Sequence, residues 1–242
     1  MVSKSQIKLV RQLGQKKHRD QHQLFVAEGL KVIREFVDEN YQLHQLYALE
    51  ERHFPSQHVS LVNQAQMKAM SDLKTPSDAL AVFAMPKTQN PSQPDVVLAL
   101  ESIQDPGNLG TIIRLCDWFG IQDIICSSDT VDCYNTKVVR STMGSLARVQ
   151  VLYKDLQSWL MEVNDYQIVA TSMTGQSIYE HSFDKPTVLL IGNEGRGLSK
   201  QLTALSNKTL SIPRFGGAES LNAAMATGII LAEARRNTST EK

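Results

Sequence analysis

The 242-residue chain is poor in cysteine: Cys116, Cys126 and Cys133 form no CxxC pair and have no histidine cluster beside them. That argues against both a disulfide framework and a zinc site, and no metal is expected. There is no run of eighteen apolar residues, so no membrane-spanning helix is expected. The opening MVSKSQIKLVRQLGQKKHRD has basic residues but no following apolar stretch, which argues against a secretory signal. A cytoplasmic protein is the expectation, with organellar targeting as the alternative. Two nucleotide-binding signatures are also absent. No GxxxxGK[ST] occurs, and IGNEGRGLS at 191–199 places its glycines as G-x-x-G-x-G after a late strand rather than as G-x-G-x-x-G after the first.

What is present reads as globular, with 42% hydrophobic and 21% charged residues. The overall charge balance, 25 Lys/Arg against 25 Asp/Glu, conceals an asymmetry. Residues 1–94 hold 12 basic against 9 acidic side chains, and residues 95–236 hold 12 against 15. Lys4, Lys8, Arg11, Lys16, Lys17 and Arg19 all precede the first acid, Asp20. Such a cluster can follow a nucleic-acid backbone, or it can simply solvate an amino-terminal helix.

MPKTQNPSQPD at 85–95 reads as a linker, three prolines among polar residues. The domains are therefore expected at 1–88 and 96–242, joined by 89–95. In the first, FVAEGLKVIREFVDEN carries apolar residues at 26, 30, 33, 36 and 37, close to helical spacing, and short strands follow at 43–49, 58–62 and 79–85 around a helix at 64–73. After the linker, VVLALESI, DIICSS, VQVLY, YQIVATSM, TVLLIGNE and TLSIP read as strands. Helices are expected at 108–120, 135–146, 156–163 and 220–236. Such alternation predicts a largely parallel sheet with helices on both faces, and ligand sites beyond the carboxyl ends of its strands.

Three loops carry polar groups suited to one site. ESIQDPGNLGTIIR places Asn108 at a helix mouth and Arg114 about one turn beyond Gly110. LLIGNEGRGLS offers Gly192, where a missing side chain suits close approach of an adenosine-like group, and Glu194, which suits either a substrate or a loop tie. IPRFGGAESLNAA places Ser220 to cap the closing helix, with Leu221 and Asn222 at its start.

Segments 101–120, 187–199 and 211–234 resemble the three motifs of the SpoU-type (TrmH-like) RNA ribose 2'-O-methyltransferases of the SPOUT superfamily, and the match covers about 95 to 236. LFVAEGLKVIREFV at 24–37 is similar, less closely, to the small RNA-binding domain that many of these enzymes carry. The resemblance implies an α/β catalytic domain with a trefoil knot, a homodimer, structured RNA as partner and S-adenosyl-L-methionine as cofactor. By residue it implies that Thr171, Gly192, Ile212 and Leu221 hold the cofactor. Arg114 would act at the ribose 2'-hydroxyl, with Asn108, Glu194, Ser220 and Asn222 around it. Guanidinium is a poor base, so Arg114 is expected to steer phosphate or stabilise alkoxide while another group takes the proton. Arg214, where the family commonly has methionine, is a candidate RNA contact with Lys16, Lys17 and Arg19, and Phe215 is placed to stack on a base. Ribosomal RNA is favoured by resemblance. Transfer RNA, or a non-catalytic RNA-binding role that keeps the cofactor pocket, are the alternatives.

Overall fold

A computed structural model describes residues 2–54, 57–87 and 94–236. The chain divides into two compact units, one of Met1–Gln89 with Asp132–Ala147, the other of Asn90–Val131 with Arg148–Lys242. Residues 132–147 thus pack away from their sequence neighbours, a departure from the simple division at the linker. Of the expected linker, 89–93 lie outside the described residues.

The first unit opens with α1 (Lys4–Gln12), started by a capping box in which Ser3 accepts from the Gln6 backbone and Gln6 reaches back to Ser3. It continues with α2 (Lys16–His22), β1 (Leu24–Glu28), α3 (Leu30–Asp38), β2 (Leu43–Ala48), β3 (Ser60–Leu61), α4 (Gln64–Met70) and β4 (Ala79–Ala84). The strands make a mixed sheet in the order β1-β4-β2-β3, antiparallel except between β2 and β3. Residues 25–40 do not form the single helix their spacing predicts. LFVAE is a fully buried strand, and Gly29, at φ +106°, turns the chain before the helix begins at Leu30. The apolar spacing ran across that turn because Val26 continues the period of Leu30, Ile33 and Phe36 by coincidence.

The second unit begins with β5 (Val96–Leu100), α5 (Pro106–Trp118) and β6 (Asp123–Cys126). The chain then lends α6 (Thr136–Ser141) to the first unit. There Phe25, Phe36, Phe83 and Tyr134 form one aromatic core, with Phe25 and Tyr134 centroids 4.7 Å apart. α6 stops short of the expected 146 because Met143 and Gly144 adopt positive φ, and the Gly144 Cα lies so close to Glu35 that a Cβ would fall 2.3 Å from its Cγ. The second unit resumes with β7 (Gln150–Tyr153), α7 (Leu156–Glu162), β8 (Gln167–Ser177), β9 (Thr187–Ile191), α8 (Lys200–Leu205), β10 (Lys208–Ser211) and α9 (Ala223–Arg235).

All six strands of this unit are parallel, in the order β10-β8-β9-β5-β6-β7, an arrangement consistent with a SPOUT trefoil fold. VVLAL and TVLLI are buried along their whole length, as strands covered on both faces require. The closing helix packs on α5 through Gly228, where a Cβ would lie 3.4 Å from both Leu115 methyls. No helix among the described residues is long and apolar enough to cross a membrane.

Candidate functional site

Because the strands of the second unit run one way, their carboxyl ends share one edge, and the loops after β5, β9 and β10 open there. The loop after β5 turns at Ser102, whose φ of +57° is held by a backbone bond to Ser127 Oγ (2.8 Å) and a side-chain bond to Asp129. Hydrogen bonds from Ser102 and then Ser127 keep the Asp129 carboxyl below its ordinary range, so it is ionised at neutral pH and holds the turn. Asp105 then caps α5 by accepting from the Asn108 backbone (2.8 Å), with Pro106 at the first helical position.

The Asn108 side chain joins all three loops. Its Nδ2 donates to Glu194 Oε1 in the loop after β9, and its Oδ1 accepts from Asn222 Nδ2 at 2.8 Å. Asn222 in turn accepts from the backbone N–H groups of Ala224 (3.0 Å) and Met225 (3.3 Å), which makes it the N-cap of α9. Asn222 therefore holds the capping position that the sequence reading assigned to Ser220, which is exposed two residues before it. Three loops separated by 86 and 114 residues are thus tied by one amide.

Arg114 lies outside this chain of bonds. At 100° per residue it shares the exposed stripe of α5 with Gly107 and Trp118, about 120° round from Asn108. Among the described residues it makes no hydrogen bond or ion pair, so its guanidinium faces solvent with every donor available.

The cofactor candidates differ among themselves. Thr171 donates its hydroxyl to the Leu190 carbonyl (2.8 Å) beside the end of β9. Ile212 is half-buried just beyond β10, and Leu221 is 48% exposed at the mouth of α9. Gly192 requires a correction: the space beside its Cα is filled by the loop's own return, since a Cβ would lie 2.3 Å from the Gly197 carbonyl carbon and 2.4 Å from the Leu198 nitrogen. The glycine closes the loop on itself, and its missing side chain leaves no free cradle. Asn193, which the sequence reading passed over, shapes the same loop by accepting from the Gly195 and Arg196 backbones and donating to the Ser102 carbonyl at 2.8 Å. Its signal is an asparagine ahead of a glycine turn. Glu101, also passed over, accepts from the Ser199 backbone (2.7 Å), a tie across 98 residues that has no local signal.

Of the candidate RNA contacts, Lys16, Lys17 and Arg214 are exposed, and Arg214 also donates to the Ala218 carbonyl (3.2 Å) within its own loop. Phe215 is 97% exposed beside it. Arg19 is not available to RNA. It is 1% exposed, pairs with Asp132, and donates to the Leu13 (2.9 Å) and Gly14 (3.0 Å) carbonyls that end α1. An arginine with its donors engaged inside the first unit is a structural staple.

The SpoU rRNA Methylase family model matches residues 95–232, and the MRM3-like substrate binding domain model matches residues 4–81. In sequence the chain is 28% identical over 229 residues to the 23S rRNA (guanosine(2553)-2'-O)-methyltransferase RlmP of Bacillus subtilis, covering 91% of this chain and 92% of that protein. In three dimensions it is similar to a TrmH-family protein from Porphyromonas gingivalis (34% identity, 98% of this chain and 100% of that one, TM-score 0.90). It is also similar to the SpoU methyltransferase AviRb of Streptomyces viridochromogenes in complex with AdoMet (26% identity, 99% and 100%, TM-score 0.87).

Proposed function

The chain belongs to the SpoU rRNA Methylase family, and from that premise we propose that it methylates a ribose 2'-hydroxyl of ribosomal RNA with S-adenosyl-L-methionine as methyl donor. The single observation that carries the reading is the Asn108 amide, which joins Glu194 to Asn222 and so gathers the three motif loops at one edge of the parallel sheet. Ribosomal RNA is favoured because the Bacillus subtilis relative, aligned across both units, bears that substrate in its name.

The residues present fit the cofactor. Half-buried Ile212 and exposed Leu221 offer apolar surface suited to an adenine ring, and the loop 192–199, drawn tight by Asn193, offers backbone groups for its polar edge. When bound, S-adenosyl-L-methionine supplies an electrophilic sulfonium methyl. Asn108 and Asn222 orient the loops, and each is held from two sides, so little reorganisation is needed when RNA arrives. Glu194 keeps one carboxylate oxygen on Asn108 and leaves the other to accept from a ribose hydroxyl. The exposed Arg114 fork suits the phosphate flanking the target ribose or the developing alkoxide, while the proton leaves to Glu194 or water.

A homodimer is part of this reading. Trp118 on α5 and Met225 on α9 are 84% and 62% exposed on helices that pack together, apolar surface that a second copy would cover. The test of the function is transfer of labelled methyl from S-adenosyl-L-methionine to ribosomal RNA, with the product nucleotide mapped. One 2'-O-methylated site is expected. No incorporation by a protein that binds the cofactor would favour a binding role.

A further inference from the structure

α1 buries Val10 against α4 and carries Lys4, Lys8 and Arg11 on its exposed side, at the i, i+4, i+7 spacing of one helical face. These three residues line a shallow groove. Arg11 also borders a second, deeper recess within the same unit, a cavity of about 180 Å³. Its floor is apolar, from Val26, Met70 and Leu80. Its rim has Asp72, Thr136 and Arg140: Asp72 accepts from Arg140 Nη1 (2.8 Å) and Thr136 Oγ1 (2.9 Å). Behind them the buried Glu28 carboxylate accepts from Ser71 and from the Ser77 backbone, so the wall is rigid. Burial acts to raise the Asp72 carboxyl, but the bonds from Arg140 and Thr136 outweigh it and hold the group ionised at neutral pH.

An apolar floor with donors and acceptors at the rim suits a planar ring that has apolar faces and polar edges. The cavity is smaller than the roughly 300 Å³ at which pockets for drug-sized ligands begin. The adjoining basic face supplies what the phosphates on either side of such a ring require. We propose that the α1 face and this cavity form a nucleotide subsite for single-stranded RNA, with the backbone on Lys4, Lys8 and Arg11 and one unstacked base inserted against Asp72 and Arg140. The inference rests on the RNA-methylation reading above and adds to it the surface through which the first unit holds its substrate. Recognition of a splayed base on its edges is a general mode for unpaired RNA. In this reading α1 supplies basic contacts to the backbone, and buried Arg19 supplies none.

The test uses the full-length protein and a fluorescein-labelled, ten-nucleotide single-stranded RNA of mixed sequence, read by anisotropy across a salt series. Lys8→Ala with Arg11→Ala is expected to weaken binding and lower the salt slope by about 0.7 per cation removed. Thr136→Phe, which plugs the cavity mouth, is expected to weaken binding at least about fivefold with the slope unchanged, as loss of one stacked base would. The same oligonucleotide with abasic positions should bind the unaltered protein at least about fivefold more weakly than intact RNA does, a comparison that needs no variant. Equal affinity for abasic and intact RNA overturns the base-binding cavity. An unchanged salt slope in the Lys8 and Arg11 variant overturns the α1 face. Cofactor titration of the same samples separates this from the catalytic reading, which fails on its own if the unaltered protein does not bind S-adenosyl-L-methionine.

Discussion

The two sheets place chemistry in different ways. In the second unit, six parallel strands bring every carboxyl end to one edge, so loops far apart in sequence open there together. The mixed sheet of the first unit has no such common edge. Its polar groups gather instead on a helix face and in a cavity closed by α6, a segment contributed from beyond residue 131. The lesson is that one unit holds its site by side-chain ties between loops, whereas the other holds its polar wall by a partly exposed ion pair at the cavity rim with a buried carboxylate behind it.

That contrast can be broken most severely at Arg19. Replacing it with alanine leaves the Asp132 carboxylate almost buried without its cation and frees two carbonyls at the end of α1. A loss of about 3–5 kcal/mol is expected in denaturant unfolding, with cofactor affinity unchanged wherever the protein is folded. Gly192→Ala acts on the other unit. Its Cβ would meet Gly197 backbone at 2.3 Å, so the loop must open, and a loss of about 1–3 kcal/mol together with weaker cofactor binding is expected in melting and titration. RNA binding through α1 should persist in that variant. The smallest effect on stability belongs to Asn222→Ala, which removes the cap of α9 at a cost of about 1 kcal/mol. Asn222→Asp sharpens the comparison, because a carboxylate keeps the cap but has no donor for Asn108. Thermal stability should return while methyl transfer stays low, and recovery of both would show that the tie is only a cap.

The parallel sheet was legible because its strands are continuous apolar runs such as TVLLI, a pattern that demands cover on both faces. The site loops were legible as polar, glycine-bearing segments after strands, and resemblance supplied their roles. The bond partners were not legible, since Asn108, Glu194 and Asn222 meet through tertiary folding across 86 and 114 residues. Arg19 misled for the same reason: in the sequence it ends a basic run, and the acid that buries it lies 113 residues on. Gly192 reads in the sequence as room for a ligand, but the return of its own loop at Gly197 and Leu198 fills that space. β1 was hidden because helical periodicity ran through Gly29, and only its φ of +106° separates strand from helix.

The most direct test of the account is single-turnover methyl transfer by Arg114→Ala beside calorimetric titration of the same protein with S-adenosyl-L-methionine. If Arg114 acts on the RNA in a site formed by the three tied loops, transfer falls about 10²–10³-fold while cofactor affinity stays within about twofold of the unaltered protein. Transfer at the original rate, or equal loss of transfer and cofactor binding, would contradict it.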